Sequence, residues 1–283
     1  MNPVLNWLRR QHQHLLGPAQ EVPEALWRAN LEKHPFLQSL SLQEQAVLRH
    51  LSTHFLSEKE FYGANGQSVT DAIALAVATQ ACLPLVHWSL DEKAPSRPRT
   101  LDWYSDFVGI VLYPGPVRAR RRHHDATGLV HDYSEVIAGE AMQDGPIVLS
   151  WPHVQDADTR AKTGNNLVIH EFAHKLDMFD GQADGVPPLP KGFLGTRGPR
   201  GARKVWLTHL QTAFDRFREQ VSLAERFGGP PTWLNTYGAQ SLTEFFAVSC
   251  EAYFVNRMRF SEDLGDLVLL FDAFFKRRTA FTP

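Results

Sequence analysis

The sequence predicts an α+β, mostly helical protein with a small β-sheet beside one chemically loaded helix. Three observations carry that prediction. Long stretches repeat apolar residues at helical intervals. Three short runs rich in Ile, Val, Leu and Tyr cluster between residues 107 and 151. Soon after them, inside a helical pattern, comes His170-Glu171-Phe172-Ala173-His174.

In chain order, Pro3–Leu16, Pro23–Lys33, Ser41–Phe55 and Val69–Cys82 read as helices, the last with an Ala-rich core face. Ala94-Pro-Ser-Arg-Pro-Arg-Thr100 reads as a linker or loop. Residues 1–95 are therefore expected as a mostly helical N-terminal region. It packs on a region formed by residues 96–283, and the two make one continuous compact unit. Phe107–Tyr113, Leu129–Ile137 and Ile147–Trp151 read as strands, with Pro146 opening the last. Ile147–Trp151 suits either a sheet edge that an extended substrate joins or a buried strand.

The next helix is capped by Asn165 or Asn166 and stopped by Gly181. Val168, Phe172, Leu176 and Phe179 form its apolar stripe. At about 100° per residue, His170, His174 and Asp177 share the opposite stripe and Glu171 flanks it. Asp180–Arg203, rich in Gly, Pro and basic residues, is expected as a rim or lid. Val205–Phe227 is helical through Trp206, Leu210, Phe214, Phe217 and Val221. Ser241–Phe254 is helical, with Phe246, Cys250 and Tyr253 along a buried stripe. A last helix runs from about Ser261, read as its cap, through Leu264, Leu267, Val268 and Phe271 to Phe275.

Composition narrows the class. At 283 residues and 43% hydrophobic, the chain can bury a substantial core. A net charge of −2 implies no general attraction to nucleic acid or to an anionic membrane. The dense basic run Arg118-Ala-Arg-Arg-Arg122, followed by His123 and His124, reads as a solvated loop. Two cysteines, Cys82 and Cys250, make no disulfide framework. Ala72–Val86 is apolar but too short to span a bilayer, and Thr79, Gln80 and Pro84 interrupt it. A cytoplasmic location is the resulting expectation.

The chemistry follows from spacing. Two imidazoles one helical turn apart can reach the same ion, and a carboxylate beside them can act on metal-activated water. Catalytic zinc usually takes three protein ligands. Glu244 and Glu251, seven residues apart on one helix face, are the candidates for the third. Ser241-x-x-Glu244 also fits a capping box, which would draw Glu244 back to the Ser241 amide. Glu251 not used as a ligand would orient His170 or His174, and Asp177 is a second candidate for that work.

Three stretches carry a resemblance: Val168–Met178, Thr243–Val248 with Glu251, and Gly145–Trp151. Together they resemble the Mlc titration factor A family of bacterial cytoplasmic zinc metallopeptidases. The catalytic core of that family is similar to the catalytic domain of anthrax lethal factor. The resemblance implies a zincin-like core holding one Zn2+ per chain. It makes His170, His174 and Glu244 the metal ligands, Glu171 the catalytic base and Tyr237 the active-site tyrosine. It implies a zinc-dependent peptidase, aminopeptidase-like, acting on a peptide or protein substrate. The family name also points to a different class: a non-catalytic regulatory protein that sequesters a transcriptional repressor.

Overall fold

The computed structural model describes residues 19–93, 96–124 and 130–276. The helix expected over Pro3–Leu16 lies outside them, as do residues 94 and 95 of the expected linker. The chain opens with α1 (Glu24–Lys33), α2 (Pro35–Gln38), α3 (Leu42–Glu58), β1 (Glu60–Gly63) and α4 (Asp71–Cys82). Ser41 caps α3 through a reciprocal box: its hydroxyl accepts from the Glu44 amide, and the Glu44 carboxylate accepts from the Ser41 amide. Thr70 caps α4. Ala74, Val77, Ala78 and Ala81 of α4 are fully buried. Their small size lets α4 run through the middle of the molecule, against α3 on one side and the metal-motif helix on the other.

A four-stranded sheet has the order β1-β2-β6-β5, with β2 at Gly109–Tyr113, β5 at Gly139–Ala141 and β6 at Ile147–Ser150. β1 and β2 are parallel, as are β2 and β6, whereas β5 is antiparallel to β6. β6 is therefore internal and buried along its length, and β5 and β1 are the two edges of the sheet. The sequence reading missed β1 and β5. Each is too short and too polar to show alternation, and each is recruited by a neighbour's ladder. A separate hairpin pairs β3 (Val117–His124) with β4 (Val130–Ile137). The basic run Arg118–Arg122, expected as a solvated loop, is thus a strand, because backbone pairing with β4 overrides side-chain charge.

The second half is helical: α5 (Trp151–Gln155), α6 (Ala157–Ala161), α7 (Leu167–Asp177), α8 (Gly198–Phe227), α9 (Leu242–Val255), α10 (Arg257–Asp263) and α11 (Gly265–Phe275). α8 starts well before Val205, with Pro199 in its first turn, so the end of the expected rim is helix. The final helix is two, because Leu264 leaves helical geometry at φ −124°, ψ 39°. Asn256 rather than Ser261 supplies a cap; the Ser261 hydroxyl donates to the Arg257 carbonyl inside α10. α7 ends at Asp177, so Phe179 falls off the apolar stripe and lies partly exposed against Trp103.

One hydrophobic cluster runs from Val22 to Phe275. Phe172 of α7 packs on Phe55, Tyr104 and Phe107, so the back of the metal-motif helix is fixed by three rings from two segments, α3 and the stretch before β2. The fully buried Lys175 ties α7 to the sheet. Its ammonium pairs with Asp106 at 2.6 Å and donates to the carbonyls of Met142 (2.5 Å) and Gly145 (3.2 Å), in the turn between β5 and β6. Among the described residues no helix is long and apolar enough to cross a membrane.

Asp177 is not a partner of the histidines. Its Oδ2 accepts from the Gly185 amide at 2.8 Å and its buried Oδ1 meets no donor, so it anchors the loop that follows α7. Burial pushes its pKa from 3.8 up to about 7, against the pull of the Gly185 amide. The folded pKa is the higher one. The folded state therefore holds a proton that the unfolded chain has released between those two values, and unfolding free energy falls as pH rises through that window. Asp177→Asn removes this titration. The melting temperature of the parent minus that of Asp177→Asn should fall as pH rises from 4 to 8. A constant difference would show that Asp177 ionises normally.

Candidate metal centre

α7 presents both imidazoles because its start and its back are fixed. Asn166 is the cap, accepting from the Ile169 amide, while Val168, Phe172 and Leu176 are fully buried. His170 and His174 then face inward together, ring centroids 4.7 Å apart, with their Nε2 atoms 3.1 Å apart. α9 crosses α7 and brings Glu244 up to them. Glu244 Oε2 lies 3.1 Å from His170 Nε2 and 3.3 Å from His174 Nε2. These are the three residues among those described whose ligand atoms gather closely enough to hold a metal ion.

The Ser241 hydroxyl does accept from the Glu244 amide, so half of the expected capping box forms. The other half does not, because the carboxylate is turned to the histidines. Glu244 Oε2 is buried and, close as it is to the two ring nitrogens, makes no well-aligned hydrogen bond among the described residues. A buried carboxylate oxygen aimed between two ring nitrogens, in good hydrogen-bond geometry with neither, fits a site that a cation would complete. The three donors are also a chemically consistent set for a divalent ion.

Behind the triad sits Glu251. Its Oε1 accepts from His170 Nδ1 at 2.8 Å and its Oε2 accepts from the Asn166 amide. Because a carboxylate can only accept, His170 must donate from Nδ1, which leaves Nε2 free to face an ion. The chain of contacts continues inward. Asn166 Nδ2 donates to Gln80 Oε1 at 2.7 Å, and Gln80 Nε2 lies 3.0 Å from His34 Nε2.

The charges are strongly coupled. Burial would lower the His170 pKa, but Glu244 and Glu251 outweigh it and push it well up. Burial, with His170 adding to it, keeps His174 down. Burial would raise Glu244, but the two histidines hold it at about 2. Glu171 is buried beside them and burial pushes it up to about 8, against His170. A cation held by the triad would oppose that rise.

All five predicted site residues meet in one cavity of about 460 Å³. Tyr237 enters from the short turn Thr236–Ala239, its ring 5.9 Å from that of His170. Gly238 lets that turn press on α8 and α9: a Cβ there would come within 3.4 Å of Phe217 and Val248. Another wall is Ala138 with the edge strand β5 that follows it. Gly139 passes so close to Glu171 that a Cβ would lie 2.4 Å from Oε1. The sequence reading missed Gly139, Gln80 and Arg160, another cavity residue. Gln80 left one trace, as a polar break in an apolar helix.

The chain matches the family described as glucose-regulated metallo-peptidase M90 over residues 5–276. Its relatives include the Mlc titration factor A of Salmonella gallinarum, 32% identical over 78% of this chain and 74% of the relative. That of Pectobacterium atrosepticum is 31% identical over 89% and 85%. That of Escherichia fergusonii is 31% identical over 83% and 81%.

Replacing Glu251 by Gln keeps the volume but turns an amide toward either the His170 ring or the Asn166 N–H. Affinity for zinc, measured by competition with a chelator, should fall about 10- to 100-fold in Glu251→Gln. A change under about threefold would remove Glu251 from the site's support.

Proposed function

From the premise that the chain belongs to the glucose-regulated metallo-peptidase M90 family, we propose that it is a zinc-dependent peptidase using Glu171 as general base. The observation that carries this reading is the triangle of ligand atoms. Its sides that involve Glu244 are 3.1 and 3.3 Å, and the two ring nitrogens are 3.1 Å apart. Tetrahedral bonds of about 2.0–2.1 Å imply ligand separations of roughly 3.3 Å, so zinc fits this spacing. Calcium favours six to eight oxygen ligands at longer range and fits poorly. His170, His174 and Glu244 would hold the ion, and three protein ligands lining a cavity suit a catalytic rather than a closed structural site.

Zinc there would supply Lewis acidity, lowering the pKa of water from about 16 towards 7. The protein supplies the rest. Glu171 takes the proton from the attacking water and returns it to the departing amine. Tyr237 donates its hydroxyl to the scissile carbonyl oxygen as charge develops there. β5 offers its free edge for main-chain pairing with an extended peptide. Antiparallel pairing is the more stable arrangement. The peptide then runs from the Ala141 end of β5 to the Ala138 end. Met178, Ala183 and Thr243 line the Ala141 end of the cavity, and the Thr243 hydroxyl donates to the Ala183 carbonyl. An aminopeptidase-like activity would require that end to admit only one residue before the scissile bond. A reducing, cytoplasmic setting suits the two buried, free cysteines.

The relatives' name favours a second reading: a regulatory protein that titrates a partner, with the metal confined to structure. That reading requires partner binding to survive chelation and His174→Ala in folded protein.

In Glu171→Gln, peptide hydrolysis should fall by about 100- to 10,000-fold while close to one zinc per chain is kept. Unchanged turnover in that variant refutes the mechanism. Gly139→Ala should displace the Glu171 carboxylate without unfolding the sheet. A kcat about 100-fold lower at a parental melting temperature is the expected result. Full activity would mean that the strand does not hold Glu171 in place.

A further inference from the structure

One end of the cavity carries a cation that no carboxylate of the described protein neutralises. Arg160, on α6, lines the cavity together with His153, Asn165 and the catalytic cluster. Arg49, Arg97, Arg203 and Arg257 each hold an acidic side chain. Arg160 holds none among the described residues, and its Nε is buried without a hydrogen-bond partner. A buried, unsatisfied Nε carries a desolvation cost that a carboxylate on the guanidinium fork would offset.

The topology gives Arg160 a direction. The Ser150 amide donates to the Ala138 carbonyl, and Ser150 Oγ lies 2.9 Å from His153 Nδ1. His153 is therefore at the Ala138 end of β5. Burial lowers the pKa of His153 and the charge of Arg160 lowers it further, which puts the arginine at the same end. At the other end, Lys175 ties the Met142 carbonyl to the C-terminal half of α7. A peptide paired antiparallel to β5 carries its C-terminal side from the metal triad toward His153 and Arg160.

We propose that Arg160 is the specificity-determining residue of this cavity, receiving a substrate carboxylate on the C-terminal side of the scissile bond. The inference rests on the peptidase reading and deepens it. The substrates it selects are short peptides ending in a free carboxylate close to the cleaved bond, or peptides with an acidic side chain at that place. The planar fork of Arg160 suits either source, and neutral His153 adds no competing charge.

The test uses zinc-loaded full-length protein and three peptides: Ala-Ala-Ala as the free acid, its C-terminal amide, and Ala-Asp-Ala amide. The free acid, the aspartyl peptide or both should show a KM about 10- to 100-fold below that of the neutral amide, with kcat little changed. Which peptide gains identifies the carboxylate's source. Arg160→Gln should erase the preference, and Arg160→Lys should restore part of it. Parental melting temperatures of both variants exclude a folding defect. Equal KM values for all three peptides in the parent, or a preference that survives Arg160→Gln, overturn the proposal. Calorimetric binding of the same peptides to Glu171→Gln separates the two readings. If the parent hydrolyses nothing, the peptidase reading fails. The carboxylate site then stands only if Glu171→Gln binds an acidic peptide at least about tenfold more tightly than the neutral amide. Equal or absent binding there overturns it.

Discussion

The Glu251 carboxylate is the joint on which this structure turns. One oxygen accepts from the ring of His170 and the other from the main-chain amide of Asn166, so a side chain of α9 grips both the first turn and the first histidine of α7. The contact fixes two things together. It sets the tautomer that leaves His170 Nε2 facing the cavity, and it sets the distance between the helices. Glu244 lies two turns earlier on α9, so the same docking carries it to the other side of the two imidazoles. Buried and doubly engaged, Glu251 makes the triad a consequence of helix packing rather than of loop conformation.

The rest of the site is hung on α7 from its other faces. Phe172 presses its back into aromatic rings, and Lys175 ties its last turn to the turn between β5 and β6. That tie holds the edge strand over Glu171, where the absence of a side chain at Gly139 gives the carboxylate its room. Asp177 then anchors the departing chain through Gly185. Within three turns, one helix supplies two inward imidazoles, a buried carboxylate, a sheet anchor and a loop anchor. The close tolerances come from rigid elements, which is how a site avoids loosening with loop motion.

Much of this was legible in the sequence because it is local. The Asn166 cap, the Ser241 cap, the helical phase of Val168, Phe172 and Leu176, and the spacing of His170 and His174 all follow from residues within a few positions of one another. The resemblance of the motif segments was borne out by a family match across most of the chain. What escaped was non-local or weakly patterned. β1 and β5 have too few residues to show alternation, and β3 is strand only because β4 lies beside it. The stripe of α7 was read one turn too far, since Gly181 ends a short 3-10 turn that follows the helix and not the helix itself.

The sequence alone determined that a helix would carry two imidazoles and a carboxylate on an inward face, because helical phase is set by consecutive residues. It left Glu244 and Glu251 competing for the third position, since seven-residue spacing puts both on one face and cannot say which end of that face meets α7. The family resemblance pointed to Glu244, and the tertiary structure gives the placement of both. The crossing of α9 over α7 sends Glu244 to the Nε2 atoms and Glu251 to Nδ1. The edge strand and the Arg160 guanidinium, which pairs with no carboxylate among the described residues, were likewise decided by packing between segments far apart in the chain, where no local pattern records the contact.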